Sequence, residues 1–123
     1  MGALTEVRAV ALEDVPQIDL PGGSWSRMVV TDQSVSGNSA SLGYSVFKPG
    51  SETAPVAHET EEVAYVLSGS GELRLDDGAV PFKAGDGLFV PAGVWHAVVN
   101  TSDEDVAMVF GFPFPAYPPT ERR

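Results

Sequence analysis

The chain has 123 residues, with seven Lys plus Arg against seventeen Asp plus Glu, a formal net charge of −10, 43% hydrophobic residues and no cysteine. The length suits one domain, residues 1–123, with its own core. Without cysteine there are no disulfides, thiolate metal sites or thiol nucleophiles, and the acidic balance, with no Lys/Arg cluster to offset it, excludes nucleic acid and anionic membrane surfaces as partners.

Residues 1–12 lack a basic stretch leading into a long apolar run, and no apolar run approaches the roughly 18 residues of a membrane span, so the expectation is a cytoplasmic protein. Thirteen Gly and ten Pro are spread along the chain, which punctuates it too often for long helices and predicts an all-β fold. A short turn is expected near Leu12 to Val15. Strands are predicted over residues 25–31, 42–47, 63–67, 72–75, 88–90, 96–99 and 106–112, each a short run rich in β-branched and aromatic residues. Residues 32–41 have loop composition. Asp77-Gly78 between two apolar runs signals a hairpin, and residues 68–71 form a second tight turn. The run at 106–112 is apolar at both parities, so both of its faces need covering: one by the core, the other by a second copy of the chain or by the aromatic tail. The Pro-rich tail, residues 113–123, cannot be a central strand. It is expected to pack extended over the body or a neighbouring subunit, with Phe114 and Tyr117 as anchors, or to be partly disordered.

Only two histidines occur, His58 and His96, each at the edge of a predicted strand among turn residues. Around the first stand Gly50, His58, Glu62 and Gly69; around the second stand Gly85, Pro91, Gly93, His96 and Asn100. With these spacings the chain resembles the cupin superfamily, whose two motifs, G-x5-H-x-H-x3-E-x6-G and G-x5-P-x-G-x2-H-x3-N, it matches at nine of ten positions. The departure is Val56, which stands where the family carries its first motif His. The resemblance implies a double-stranded β-helix, or jelly-roll barrel, with its core over about residues 25–112, residues 1–24 and the tail packing outside, and often a homodimer. It also implies a metal held by His58, Glu62 and His96. A two-His-one-carboxylate set suits Fe(II), with Mn(II), Ni(II), Co(II) or Zn(II) as alternatives.

With Val56 in place of a fourth ligand, either the metal keeps open positions for substrate and dioxygen, or His58, Glu62 and His96 form a hydrogen-bonded cluster without metal. Tyr44 and Glu61 are candidate proton carriers. Val56, Trp95 and Arg27 are candidate pocket residues, Arg27 to hold a substrate carboxylate. Glu59 and Glu61 should point away from Glu62 if strand alternation holds, and Lys48 is a weak carboxylate binder by the same reasoning as Arg27. Ser-His-Asp hydrolysis and phosphate binding lack their motifs. The expected function is that of a metal-dependent enzyme acting on a small oxygen-bearing substrate, first as an Fe(II) dioxygenase. The alternatives are a non-redox lyase, isomerase or decarboxylase, and a non-enzymatic binding barrel.

Overall fold

The computed structural model describes residues 6–123. Its strands run in order as β1 (Gln17–Asp19), β2 (Trp25–Val30), β3 (Ser41–Phe47), β4 (Val56–His58), β5 (Glu62–Ser68) and β6 (Ser70–Leu75), then β7 (Gly78–Lys83), β8 (Gly87–Val90), β9 (His96–Val99), β10 (Val106–Phe112) and β11 (Thr120–Arg122). A 3-10 turn covers Leu12–Asp14, where a short turn was expected, and another covers Pro21–Gly23. No helix among the described residues is long and apolar enough to cross a membrane.

The strands form two antiparallel sheets, a six-stranded one in the order β1-β2-β3-β10-β5-β8 and a five-stranded one in the order β11-β4-β9-β6-β7. From β3 onward the chain passes repeatedly between the sheets, which gives the double-stranded β-helix. Phe47, Val66, Leu73, Phe82, Val90, Val106 and Met108 make the buried core. One side chain ties the second motif to the barrel: Asn100, 1% exposed, donates to the carbonyls of Phe47 and Glu104 at 2.8 Å and accepts from Ser102. Residues 1–5 lie outside the described residues. The rest of the N-terminal segment lies along the six-stranded sheet through β1, which pairs with β2.

All seven strands predicted from composition form, with ends within two residues of the expected ones. Strands β1, β4 and β11 are three residues each, too short to show a period in the sequence. The hairpin forms, but Leu75 pairs with Gly78, so its loop is Asp76 and Asp77, one residue earlier than the Asp-Gly pair suggested. Among the described residues no non-glycine residue takes a positive φ.

Strand β3 reverses the usual pattern. Its buried residues include Ser41, Gly43 and Ser45, while Leu42 is exposed; on β5, Val63, Tyr65 and Leu67 are likewise exposed. These two strands therefore give the interior at this end small and polar groups and carry apolar side chains such as Leu42, Val63 and Tyr65 outside. Strand β10 pairs with both β3 and β5. Its inner residues Met108, Phe110 and Phe112 face a cavity, and its outer residue Val109 stands between Tyr44 and Tyr65. The tail does not cover that outer face. It crosses the mouth of the barrel, where Tyr117 packs edge-on against Phe112 and β11 adds to β4 as an edge strand.

Candidate metal centre

Strands β4 and β9 are neighbours, with Val56 opposite His96, and Glu62 opens β5 in the facing sheet. The three predicted ligands thus meet between the sheets from separate elements. His58 and His96 are 4% and 5% exposed, and their rings lie 5.1 Å apart at 66°. Glu62 Oε1 lies 3.2 Å from His58 Nε2 and 3.4 Å from His96 Nε2. One ligand atom from each residue lies within 4.8 Å of the others. The loop that carries Gly93 closes on this point, its N–H donating to the His58 carbonyl at 2.8 Å. The motif glycines Gly50, Gly69, Gly85 and Gly93 all have positive φ, and Pro91 follows the last residue of β8.

The far side of each imidazole is fixed by a hydrogen bond. His96 Nδ1 lies 2.9 Å from the Val94 carbonyl, which only accepts, so Nδ1 carries a proton. His58 Nδ1 lies 2.8 Å from Thr120 Oγ1, and that hydroxyl already donates its one proton to the Pro118 carbonyl at 2.8 Å, so His58 Nδ1 also donates. In neutral imidazoles this leaves both Nε2 lone pairs aimed at a carboxylate oxygen. Three acceptors facing one another repel unless a proton or cation sits among them. Burial pushes the Glu62 carboxyl up, but hydrogen bonds and charge from His58 and His96 outweigh it and leave its pKa below the usual value. For His96, burial lowers the pKa, whereas the bonds to Glu62 and the Val94 carbonyl bring it above the ordinary imidazole value.

The spacing fits a cation as well as the donor set does. Ligand atoms about 2.1 Å from one metal stand roughly 3.0 Å apart in cis octahedral geometry and roughly 3.4 Å apart in tetrahedral geometry. The observed 3.2 and 3.4 Å lie in that range. The group is thus able to hold a divalent metal, with nothing in the geometry to select which one.

A cavity of about 230 Å³ opens onto the three residues. Phe110, Phe112, Met108 and Val98 give it apolar walls, Ser26 and Ser45 supply hydroxyls, and Val56 lines it as expected. A cupin-domain family model matches residues 43–112, the span that holds both motifs and all three candidate ligands. The chain belongs to the cupin family. Among relatives, protein SchB of Streptomyces halstedii is 35% identical over 106 residues, 85% of this chain and 76% of that protein. Polyketide synthase CurC of Streptomyces cyaneus is 31% identical over 104 residues, 84% and 67% of the two chains. The solved structure of the polyketide cyclase RemF from Streptomyces resistomycificus superposes with a TM-score of 0.78 at 24% identity, covering 95% of this chain and 85% of that one.

Several residues singled out in this cupin's sequence lie away from the cavity. Tyr44 is on the outer face of the six-stranded sheet, 5.8 Å from the Trp25 ring, because the inner parity of β3 belongs to Ser45. Arg27 shares that outer row and donates to the carbonyls of Leu12 and Val15, pinning the N-terminal segment. Trp95, one residue out of phase with His96, lies outside beneath the Arg123 guanidinium, 4.0 Å from its ring centroid. Glu59 and Glu61 are exposed and point away from Glu62, as alternation required, so Glu61 does not reach the cavity. Lys48 pairs with Asp105 at 3.0 Å.

The tail brings its expected anchor Tyr117 to the site, together with Thr120 and Arg122, which the sequence reading missed. Tyr117 lies edge-on to His58 at 5.3 Å, and Arg122, opposite Val56 on β4, lines the cavity. Burial pushes the Tyr117 phenol up, against the opposing charge of Arg122, so it stays protonated. Thr120 holds His58. Removing its acceptor while keeping its shape, Thr120→Val, is expected to weaken metal binding by about 10- to 100-fold, with Thr120→Ser restoring it; competition against a chromogenic chelator reads the difference.

Proposed function

We propose that this cupin is a metal-dependent enzyme acting on a small, oxygen-rich, flat substrate of polyketide type, by non-redox cyclisation or isomerisation. The observation that carries the reading is the pair of imidazoles, each with Nδ1 occupied and Nε2 free, beside Glu62 at the foot of an aromatic-walled cavity. Relatives that carry the names polyketide synthase and polyketide cyclase support the substrate class. His58, Glu62 and His96 would hold the metal, and a divalent cation supplies Lewis-acid polarisation of a carbonyl oxygen when bound. Phe110, Phe112 and Tyr117 orient a flat ring system and exclude water, and the Tyr117 phenol stands as a proton donor at the mouth.

A second reading, an Fe(II)-dependent dioxygenase, is favoured by Val56: three protein ligands leave coordination positions open for substrate and dioxygen. Incubating a linear aryl poly-β-ketone with the metal-loaded protein under argon and under air separates the two. Turnover under argon with Zn(II) or Mn(II) supports cyclisation. Substrate loss matched by oxygen uptake, with Fe(II) only, supports the dioxygenase. Binding without turnover makes the protein a ligand-binding barrel. Because Val56 faces His96 across β4 and β9, Val56→His is expected to tighten metal binding by about tenfold or more, measured by the same chelator competition, and to close one of the open positions.

The expected homodimer has a candidate surface. Leu42, Val63, Tyr65 and Phe89, 45–61% exposed, lie on the outer face of the six-stranded sheet around β10, a contiguous apolar patch of the kind that marks an interface. We assign it to a second copy of the chain. Light scattering at micromolar concentration should give twice the chain mass, and Tyr65→Glu should give the monomer.

A further inference from the structure

In a chain of net charge −10, one cation stands out by its lack of an acidic partner. Arg122 forms no ion pair among the described residues, whereas every other Lys and Arg side chain has partners: Arg27 on backbone carbonyls, the rest on carboxylates. The side chain is also where a ligand would meet it. On β11, Thr120 faces inward onto His58, Glu121 lines an outer groove, and Arg122 returns inward to line the metal cavity. It is the only guanidinium there, and the only carboxylate lining that cavity, Glu62, is engaged by the two imidazoles. The Arg122 Cζ lies 5.9 Å from the Tyr117 ring centroid and its guanidinium faces the Tyr117 phenol, contacts that orient the side chain at the mouth without neutralising its charge. Opposite it on β4 stands Val56, so no imidazole fills the space between Arg122 and the metal ligands.

We propose that Arg122 is the specificity-determining residue of this cavity and that the ligand carries an anionic oxygen, a carboxylate or an ionised enol or phenol, on a flat apolar body. The assignment deepens the function proposed above and depends on the cavity being the ligand site, but not on the metal. A guanidinium offers paired donors that match a planar oxygen anion, and the apolar walls beside it strengthen the attraction. The aromatic walls take the body of the ligand while Arg122 fixes which end faces out.

The experiment is a calorimetric titration with 2-naphthoate and its neutral amide, 2-naphthamide, on wild type, Arg122→Gln and Arg122→Lys. Each protein is measured both Zn(II)-loaded and metal-free. Wild type is expected to prefer the carboxylate. Arg122→Gln should lose about 10- to 100-fold in naphthoate affinity, the value of a charge-assisted hydrogen bond, with naphthamide affinity and metal content unchanged. Arg122→Lys should fall between the two. Naphthoate binding equal in wild type and Arg122→Gln, or no naphthoate binding by wild type, overturns the proposal. If the protein takes up no Zn(II) and the metal-free series still shows the Arg122-dependent loss, the anion site stands and the metal reading falls.

Discussion

His96→Ala is expected to lower metal affinity by more than about 100-fold, beyond the 10- to 100-fold that outer partners such as Thr120 command. The expectation follows from the number and placement of donors. His96 would contribute one of three protein ligands, and its ring is 5% exposed and held by the Val94 carbonyl, so no solvent-exposed side chain can swing into its place. The neighbouring carboxylates offer no substitute, because Glu59 and Glu61 point outward. His58→Ala should match it, and the double variant should add little, since two donors alone hold a divalent ion poorly. Circular dichroism of the metal-free variants should overlay that of wild type. His96 opens β9, and its backbone pairs with Val56 and Leu75 whatever side chain the position carries.

Gly69→Ala is expected to destabilise the fold by about 3 kcal/mol or more, the largest effect of any single methyl group at the motif positions. Gly69 joins β5 to β6, where the chain passes from one sheet to the other, with φ +80°. A Cβ there would stand 2.5 Å from the Asp105 carbonyl oxygen and 2.9 Å from Val106 Cα, both backbone atoms, and Val106 is fully buried. Neither contact can be relieved by a rotamer change. Gly50→Ala is the control: its φ is +73° and nothing lies within 4 Å of the added Cβ, so it should cost only about 1–2 kcal/mol for the left-handed backbone. Urea denaturation of both variants reads the difference, and a gap under about 1 kcal/mol would mean that the β5–β6 crossing yields more easily than its packing indicates.

The candidate metal ligands and the turns were legible because they obey short-range rules. Glycine marks positive φ at Gly50, Gly69, Gly85 and Gly93, and the spacing of His58, Glu62 and His96 survives folding unchanged because each sits at a strand edge next to such a turn. Facing was less legible. On β3, Leu42, Tyr44 and Val46 fall on one parity, and the cavity takes the other, Ser45 and Phe47. The apolar walls of the cavity come from β10 and β9, and β3 adds a small hydroxyl group at Ser45, so the usual rule that the apolar parity faces inward points the wrong way on that strand. That inversion is why Tyr44 and Arg27 fell outside the site. Trp95 fell outside because β9 starts at His96 and sets the parity from there. The tail was legible only as a covering segment. Its strand, Thr120–Arg122, is hydrophilic and exists through its pairing with β4, a contact between residues more than sixty positions apart. Thr120 and Arg122 therefore had no local signal, although they complete the hydrogen bonding of His58 and the charge of the cavity.

The central claim, that His58, Glu62 and His96 hold one metal ion, is tested most directly by X-ray absorption spectroscopy of the untagged protein reconstituted anaerobically with Fe(II) or Zn(II). The account predicts near-stoichiometric metal with a first shell of nitrogen and oxygen at about 2.0–2.2 Å and the multiple scattering of two imidazoles. One imidazole or none, or a protein that takes up no metal at all, would contradict it and leave the three residues as a hydrogen-bonded cluster inside a binding barrel.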